Sequence, residues 1–214
     1  DLRLLGQQKK LGIMYIFLAV FLSFSMDSSF VVSYMPMIAL LLVFSTISYD
    51  NYDNGMPFLM TLPVNGKAYA VEKYLLASGA LILTWIVAVV LQIGTLVVRK
   101  EAFSALELLG GDFIGIPIFL IVVALMIPIE LKFGTDKGRL VIFAIFGIAM
   151  VIVIGGKGLL DFLQQKMGLD LNSVAMQIKA LPFGMVIAVV GGISILLLVV
   201  SVVISIGIME KKEY

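Results

Sequence analysis

The chain has 214 residues, 61% of them hydrophobic and only 14% charged, with a mean hydropathy of +1.13 and a formal net charge of +1. Soluble domains run about 45–50% apolar and about 25% charged, so this composition excludes an ordinary soluble fold, and the small net charge argues against a nucleic-acid partner. There is no cysteine and no histidine, which removes disulfides, Cys/His metal sites and histidine-based catalysis.

Uncharged runs of about 18 or more apolar residues read as membrane-spanning helices. Six stretches fit or approach that pattern: Leu11–Met26, Phe30–Ser48, Leu75–Val98, Phe113–Leu131, Leu140–Ile154 and Phe183–Met209. The expected fold is all-α and integral to the membrane, a single transmembrane domain over 1–214. Helices rather than barrel strands are expected, because the alternating strand pattern is absent and each segment must satisfy its own backbone groups. The first and fifth runs are short against a hydrocarbon core about 30 Å thick. The sixth carries no charge over about 27 residues, about 40 Å of helix, so it must tilt or extend past the lipid.

In chain order, Asp1–Lys10 sets Leu2, Leu4 and Leu5 against Arg3, Gln7, Gln8, Lys9 and Lys10 and is expected to lie at the inner interface. The chain starts at Asp1 rather than at a methionine, so leading residues are expected to be missing. The first span lacks a small-residue cleavage site and reads as an anchor, not a signal peptide. Asp27-Ser28-Ser29 joins spans one and two as a tight hairpin. A long polar interruption, "SYDNYDNGMPFLMTLPVNGKAYAVEKYLL", then runs from Ser48 to Leu76.

Beyond span three, Phe103, Leu106 and Leu109 recur at helical spacing in an outer loop, where Gly110-Gly111 is expected to stop the turn. "KFGTDKGR" joins spans four and five on the inner side. Before span six, Leu159, Leu163, Met167, Leu171, Val174, Ile178 and Leu181 form one stripe of an amphipathic outer segment, 156–181. Counting Lys and Arg with the N-terminus inside, ten fall on inner segments (Arg3, Lys9, Lys10, Lys67, Lys73, Lys132, Lys137, Arg139, Lys211, Lys212). Five fall outside (Arg99, Lys100, Lys157, Lys166, Lys179). That bias predicts both termini inside.

Chemical motifs are scarce. "DNYDNG" from Asp50 to Gly55 starts like an EF-hand loop, but Tyr52 replaces the third-position ligand and Thr61 the bidentate Glu, so no calcium site is expected. "GGKGLLD" at Gly155–Asp161 lacks the spacing and the strand of a phosphate loop. Intramembrane charge is nearly absent. Glu130 sits at the inner end of span four near Lys132, so a proton relay has nothing to run on. Trp85 and the methionines read as lipid-facing or packing residues, and the small pairs Gly111/Gly115 and Ala188/Gly192 carry little weight.

The polar interruption remains. Asp50–Asn54 suits a solvated turn, but Met56, Phe58, Leu59, Met60 and Leu62, ending at Pro63, form an apolar cluster too short to span. Such a helix at the cytoplasmic surface must cover its apolar side with lipid or protein. Here the sequence resembles the permease subunit of type-2 ATP-binding-cassette (ABC) exporters. The likeness is sharpest in the Ser48–Leu76 run, with its acidic turn, "LPV" and "KY", and in "PIELKFGTDKGR". It is closest to the compact Gram-positive group that exports peptides such as phenol-soluble modulins and lantibiotics.

The resemblance implies that 49–74 carries a coupling helix docking on a cytoplasmic ATPase. Asp50 and Asp53 would stand at its start, Met56, Phe58, Leu59, Met60 and Leu62 would supply the apolar side, and Pro63 would end it. Lys73 would mark the return to the membrane. It further implies a homodimer, two separate ATPase subunits holding ATP and Mg, no cofactor on this chain, and an extracellular gate from Leu159, Leu163, Met167, Leu171, Val174 and Ile178. The expected function is export of amphipathic or hydrophobic peptides across a bacterial plasma membrane. A membrane scaffold or regulatory subunit without a path is the alternative. A membrane enzyme stands third, since no polar reactive cluster lies in the spans.

Overall fold

The computed structural model describes residues 9–51, 55–61, 65–134, 138, 140, 141, 144, 147 and 183–212. The amino-terminal segment, most of the expected fifth span and the outer segment 156–181 lie outside the described residues. Among those described, every regular element is a helix: α1 (Lys9–Ser25), α2 (Ser28–Asn51), α3 (Gly55–Thr61), α4 (Gly66–Arg99), α5 (Ala105–Phe113), α6 (115–134) and α7 (Phe183–Lys211). Four stretches are long and apolar enough to cross a membrane: Ser28–Asp50, Gly66–Arg99, Leu108–Gly134 and Phe183–Lys211. Ile13–Ser25 is a shorter apolar helix.

Local chemistry fixes the turns. Asp27 caps α2: its carboxylate accepts from the Ser29 amide at 3.0 Å, satisfying a donor that the first helical turn leaves open. The expected tight hairpin between the first two spans is therefore present. At the same end the Arg99 guanidinium donates to the carbonyls of Ser23, Phe24 and Met26 at 3.3, 2.9 and 3.1 Å. One side chain on α4 thus satisfies the last carbonyls of α1, which have no partner within their own helix.

Two expected boundaries move. Span three was expected from Leu75, but α4 begins at Gly66, where Asn65 accepts from the Ala68 amide at 3.0 Å as N-cap. Its 34 residues are about 51 Å long, well beyond a hydrocarbon core of about 30 Å. Its first turns therefore carry the polar residues that looked like loop. Gly110-Gly111 does not end a helix either, since α5 runs through both. The Phe183 ring packs beside Gly110, where a Cβ would stand 3.4 Å from it, in ordinary contact.

The most extensive packing is α2 against α4, followed by α4 against α7. One core gathers Val43, Ile47, Met56, Tyr69, Leu81, Ile127, Leu131 and Met209 from α2, α3, α4, α6 and α7. A smaller one joins Ala19, Val31, Met35 and Ala88. Helix α7 is built the other way round from a soluble helix: its buried residues are Ser194, Ser201, Ser205 and Met209, while Leu196, Val199 and Val203 are exposed. In lipid, apolar surface gives helices no reason to associate, and small residues and interhelical hydrogen bonds take over. The Tyr74 hydroxyl shares hydrogen bonds with Ser201 and Ser205, and Ser201 donates to the Ala124 carbonyl, so α4, α6 and α7 meet at one polar point.

Candidate functional site

The site is built where α2 ends and α4 begins. Asp50 lies in the last turn of α2, and Tyr69 and Lys73 lie four residues apart on α4, which puts both on one face. The Lys73 ammonium donates to the Asp50 carboxylate at 2.6 Å and to the Thr46 hydroxyl at 3.2 Å. The Tyr69 hydroxyl donates to the same Asp50 oxygen at 2.8 Å, and the ammonium stands 4.9 Å from the Tyr69 ring centroid. Lys73 is 0% exposed and Asp50 12%. An ammonium this deep is tolerated because a carboxylate and a hydroxyl replace its water.

Helix α3 is seated on this joint. Gly55 lies so close to the end of α2 that a Cβ would sit 2.8 Å from the Asp50 carbonyl oxygen. Met56 points inward at 3% exposure and joins the main core, whereas Phe58 is 69% exposed. Across the joint, a Cβ on Gly66 would stand 3.0 Å from the Met209 Cβ, and Lys67 pairs with Glu210 at 3.0 Å. The start of α4 is thereby bound to the end of α7. That exposed ion pair contributes little by itself, about 0–1 kcal/mol; the close backbone approach is the firmer constraint. Gly55→Ala is expected to destabilise the protein by about 1–3 kcal/mol through this backbone clash, read as a lower unfolding temperature in detergent.

The residues singled out in the sequence therefore separate. Asp50 is not at the start of the short helix but in the last turn of α2, because its carboxylate is drawn to Lys73. Lys73 sits two turns inside α4, shielded by protein. Met56 faces its own chain and Phe58 faces outward. Leu59 and Met60 fall within α3, with side chains outside the described residues, as are Asp53, Leu62 and Pro63. The gate residues Leu159, Leu163, Met167, Leu171, Val174 and Ile178 also lie outside them. The Asp50–Lys73 pair was missed because nothing in a sequence ties two residues 23 apart. The one available signal was a lysine opening an otherwise apolar helix.

These features define a multi-pass membrane protein in which α2 and α4, the helices on either side of the short α3, are joined by a buried ion pair. The chain belongs to the ABC-2 transporter family: the family model described as "ABC-2 family transporter protein" matches residues 1–210. It is thus a permease component of an ABC transporter, the transmembrane part that works with a partner ABC ATPase. No curated protein and no solved structure matches the chain.

Proposed function

We propose that this chain forms the route of an ATP-driven exporter of amphipathic or hydrophobic peptides, as a homodimer served by two ATPase subunits. One arrangement carries the reading: α3 is seated on α2 through Gly55 and in the main core through Met56, beside the Asp50–Lys73–Tyr69 network that joins α2 to α4, while Phe58 stays exposed. A helix held in this way acts as a lever. When the ATPases close on ATP and Mg, a push on α3 reaches α2 through Gly55 and the core through Met56, and the Asp50–Lys73 pair passes it on to α4, whose Gly66 meets Met209 of α7. Transmission of this kind requires two arrangements of the spans that both ATP and cargo bias.

Six spans with both termini inside suit this role. The helix ends support it, since Leu131 on α6 shares a core with Met209 at the coupling end while Phe183 opens α7 beside Gly110 at the other. A route with few charges favours cargo with an apolar face, and the segment 156–181 would close over its outer mouth. The test is uptake of a fluorescent amphipathic helical peptide by inside-out proteoliposomes containing the chain and its ATPase. ATP-dependent accumulation that fails with a polar peptide of equal length is expected. An ATPase complex that moves neither peptide removes the peptide reading, and absence of any ATPase complex favours a scaffold.

A further inference from the structure

At the end of the bundle away from α3, a cavity of about 340 Å³ lies among the α1–α2 turn, the last turns of α4 and helix α5. Its polar lining includes Asp27, Ser29, Gln92, Glu101 and Asp112, and its apolar lining Leu96, Phe103 and Leu108. No lysine or arginine lines it among the described residues. Two of the three carboxylates are already engaged: Asp27 accepts from the Ser29 amide at 3.0 Å, and Glu101 pairs with Arg99 at 3.7 Å.

Asp112 is different. Its backbone is fixed, since the Trp85 indole donates to its carbonyl at 3.2 Å and stands edge-on to the neighbouring Phe113 ring at 5.8 Å. Its carboxylate atom Oδ2 is buried and has no hydrogen-bond partner among the described residues. Gln92, only 2% exposed, shows the same feature. Its amide nitrogen donates to the Ser29 hydroxyl at 3.3 Å and bonds toward the Asp112 carboxylate, while its Oε1 is buried without a partner. Flipping the amide gives no relief, because it would set one acceptor against another.

Both orphaned atoms are thus acceptors, on residues that line one cavity, and one of them carries negative charge. Native proteins rarely leave such groups unmet. Water would answer the hydrogen bonds but not the charge of Asp112; a cation answers both. A bare metal ion fits poorly, since no three acids among the described residues are grouped to hold one. An ammonium group brings three N–H donors and a unit charge, and the apolar lining can receive the carbon chain behind it.

We propose that this cavity binds the ammonium group of a primary alkylamine, which donates to Gln92 Oε1 and Asp112 Oδ2 while its carbon chain lies against Leu96, Phe103 and Leu108. The same group occurs on a free amine and on a peptide lysine, and the test separates the two. The inference rests on these helix ends and not on the exporter reading, so failure of either leaves the other standing.

The test is thermal unfolding of the full chain in nonionic detergent, titrated with butylammonium, butyltrimethylammonium, N-acetyl-lysine methylamide or calcium at equal ionic strength. Butylammonium is expected to raise the unfolding midpoint saturably, whereas butyltrimethylammonium, which keeps the charge but has no N–H, is not. Saturation by the lysine amide at lower concentration than butylammonium supports a peptide side chain as the ligand, and the reverse order supports a free amine. Asp112→Asn should weaken the response to butylammonium by about tenfold or more, the worth of one hydrogen bond to a charged group, and Gln92→Leu should weaken it as well. Equal shifts with the two butyl cations overturn the proposal, as does a larger shift with calcium. So does no shift with either amine, or undiminished binding by folded Asp112→Asn; if that variant does not fold, the wild-type comparison of the two butyl cations decides alone.

Discussion

Lys73→Met is expected to destabilise the protein by about 3 kcal/mol, the lower end of the roughly 3–5 kcal/mol seen when one partner of a buried ion pair is removed. The lower end applies because Asp50 is 12% exposed and keeps the Tyr69 hydroxyl at 2.8 Å. The effect comes from stranding the carboxylate rather than from the pair's own strength. Replacing both charges should therefore restore most of the loss, as a buried pair exchanged for neutral groups is often close to neutral. Thermal unfolding of Asp50→Asn, Lys73→Met and the double variant closes the cycle. A large favourable coupling is expected, whereas additive single effects would mean that the two side chains do not act as one joint.

Phe58→Asp has the opposite profile. At 69% exposure the ring contributes little to folding, so stability should change by less than about 0.5 kcal/mol. Association with the ATPase should fall about 30-fold or more, since a central aromatic anchor is worth about 2 kcal/mol or more and each 1.4 kcal/mol is tenfold. Titration of purified ATPase onto the detergent-solubilised chain reads that ratio directly. The contrast with Lys73→Met is informative: one variant leaves the fold and removes the surface, while the other leaves the surface and loosens its seat.

Much of the architecture was legible because lipid is an unforgiving solvent. Long uncharged runs have few fates other than spanning helices, and α2, α4, α7 and Leu108–Gly134 stand close to where hydropathy put them. The helix that carries span three nevertheless starts at Gly66, before the apolar run that marked the span at Leu75. Hydropathy treats Lys73 as a residue seeking water, whereas Asp50 and Thr46 supply its polar partners inside the protein. The seam of α7 was invisible for a related reason. A serine in an apolar run scores as neutral, yet Ser194, Ser201 and Ser205 are what that helix buries. Composition alone likewise could not divide the apolar cluster that follows Gly55, because Met56 and Phe58 differ in direction rather than in character.

The central claim is that α3 presents Phe58 to a partner ATPase. The chain contains no cysteine, so Phe58→Cys offers a unique attachment point for a photoactivatable crosslinker. Phe103→Cys, at the opposite end of the bundle and also exposed, serves as the control. Illumination of membranes holding both components should join the ATPase to position 58 and not to position 103. Equal labelling at the two positions, or adducts at position 58 that contain no ATPase, would contradict the account.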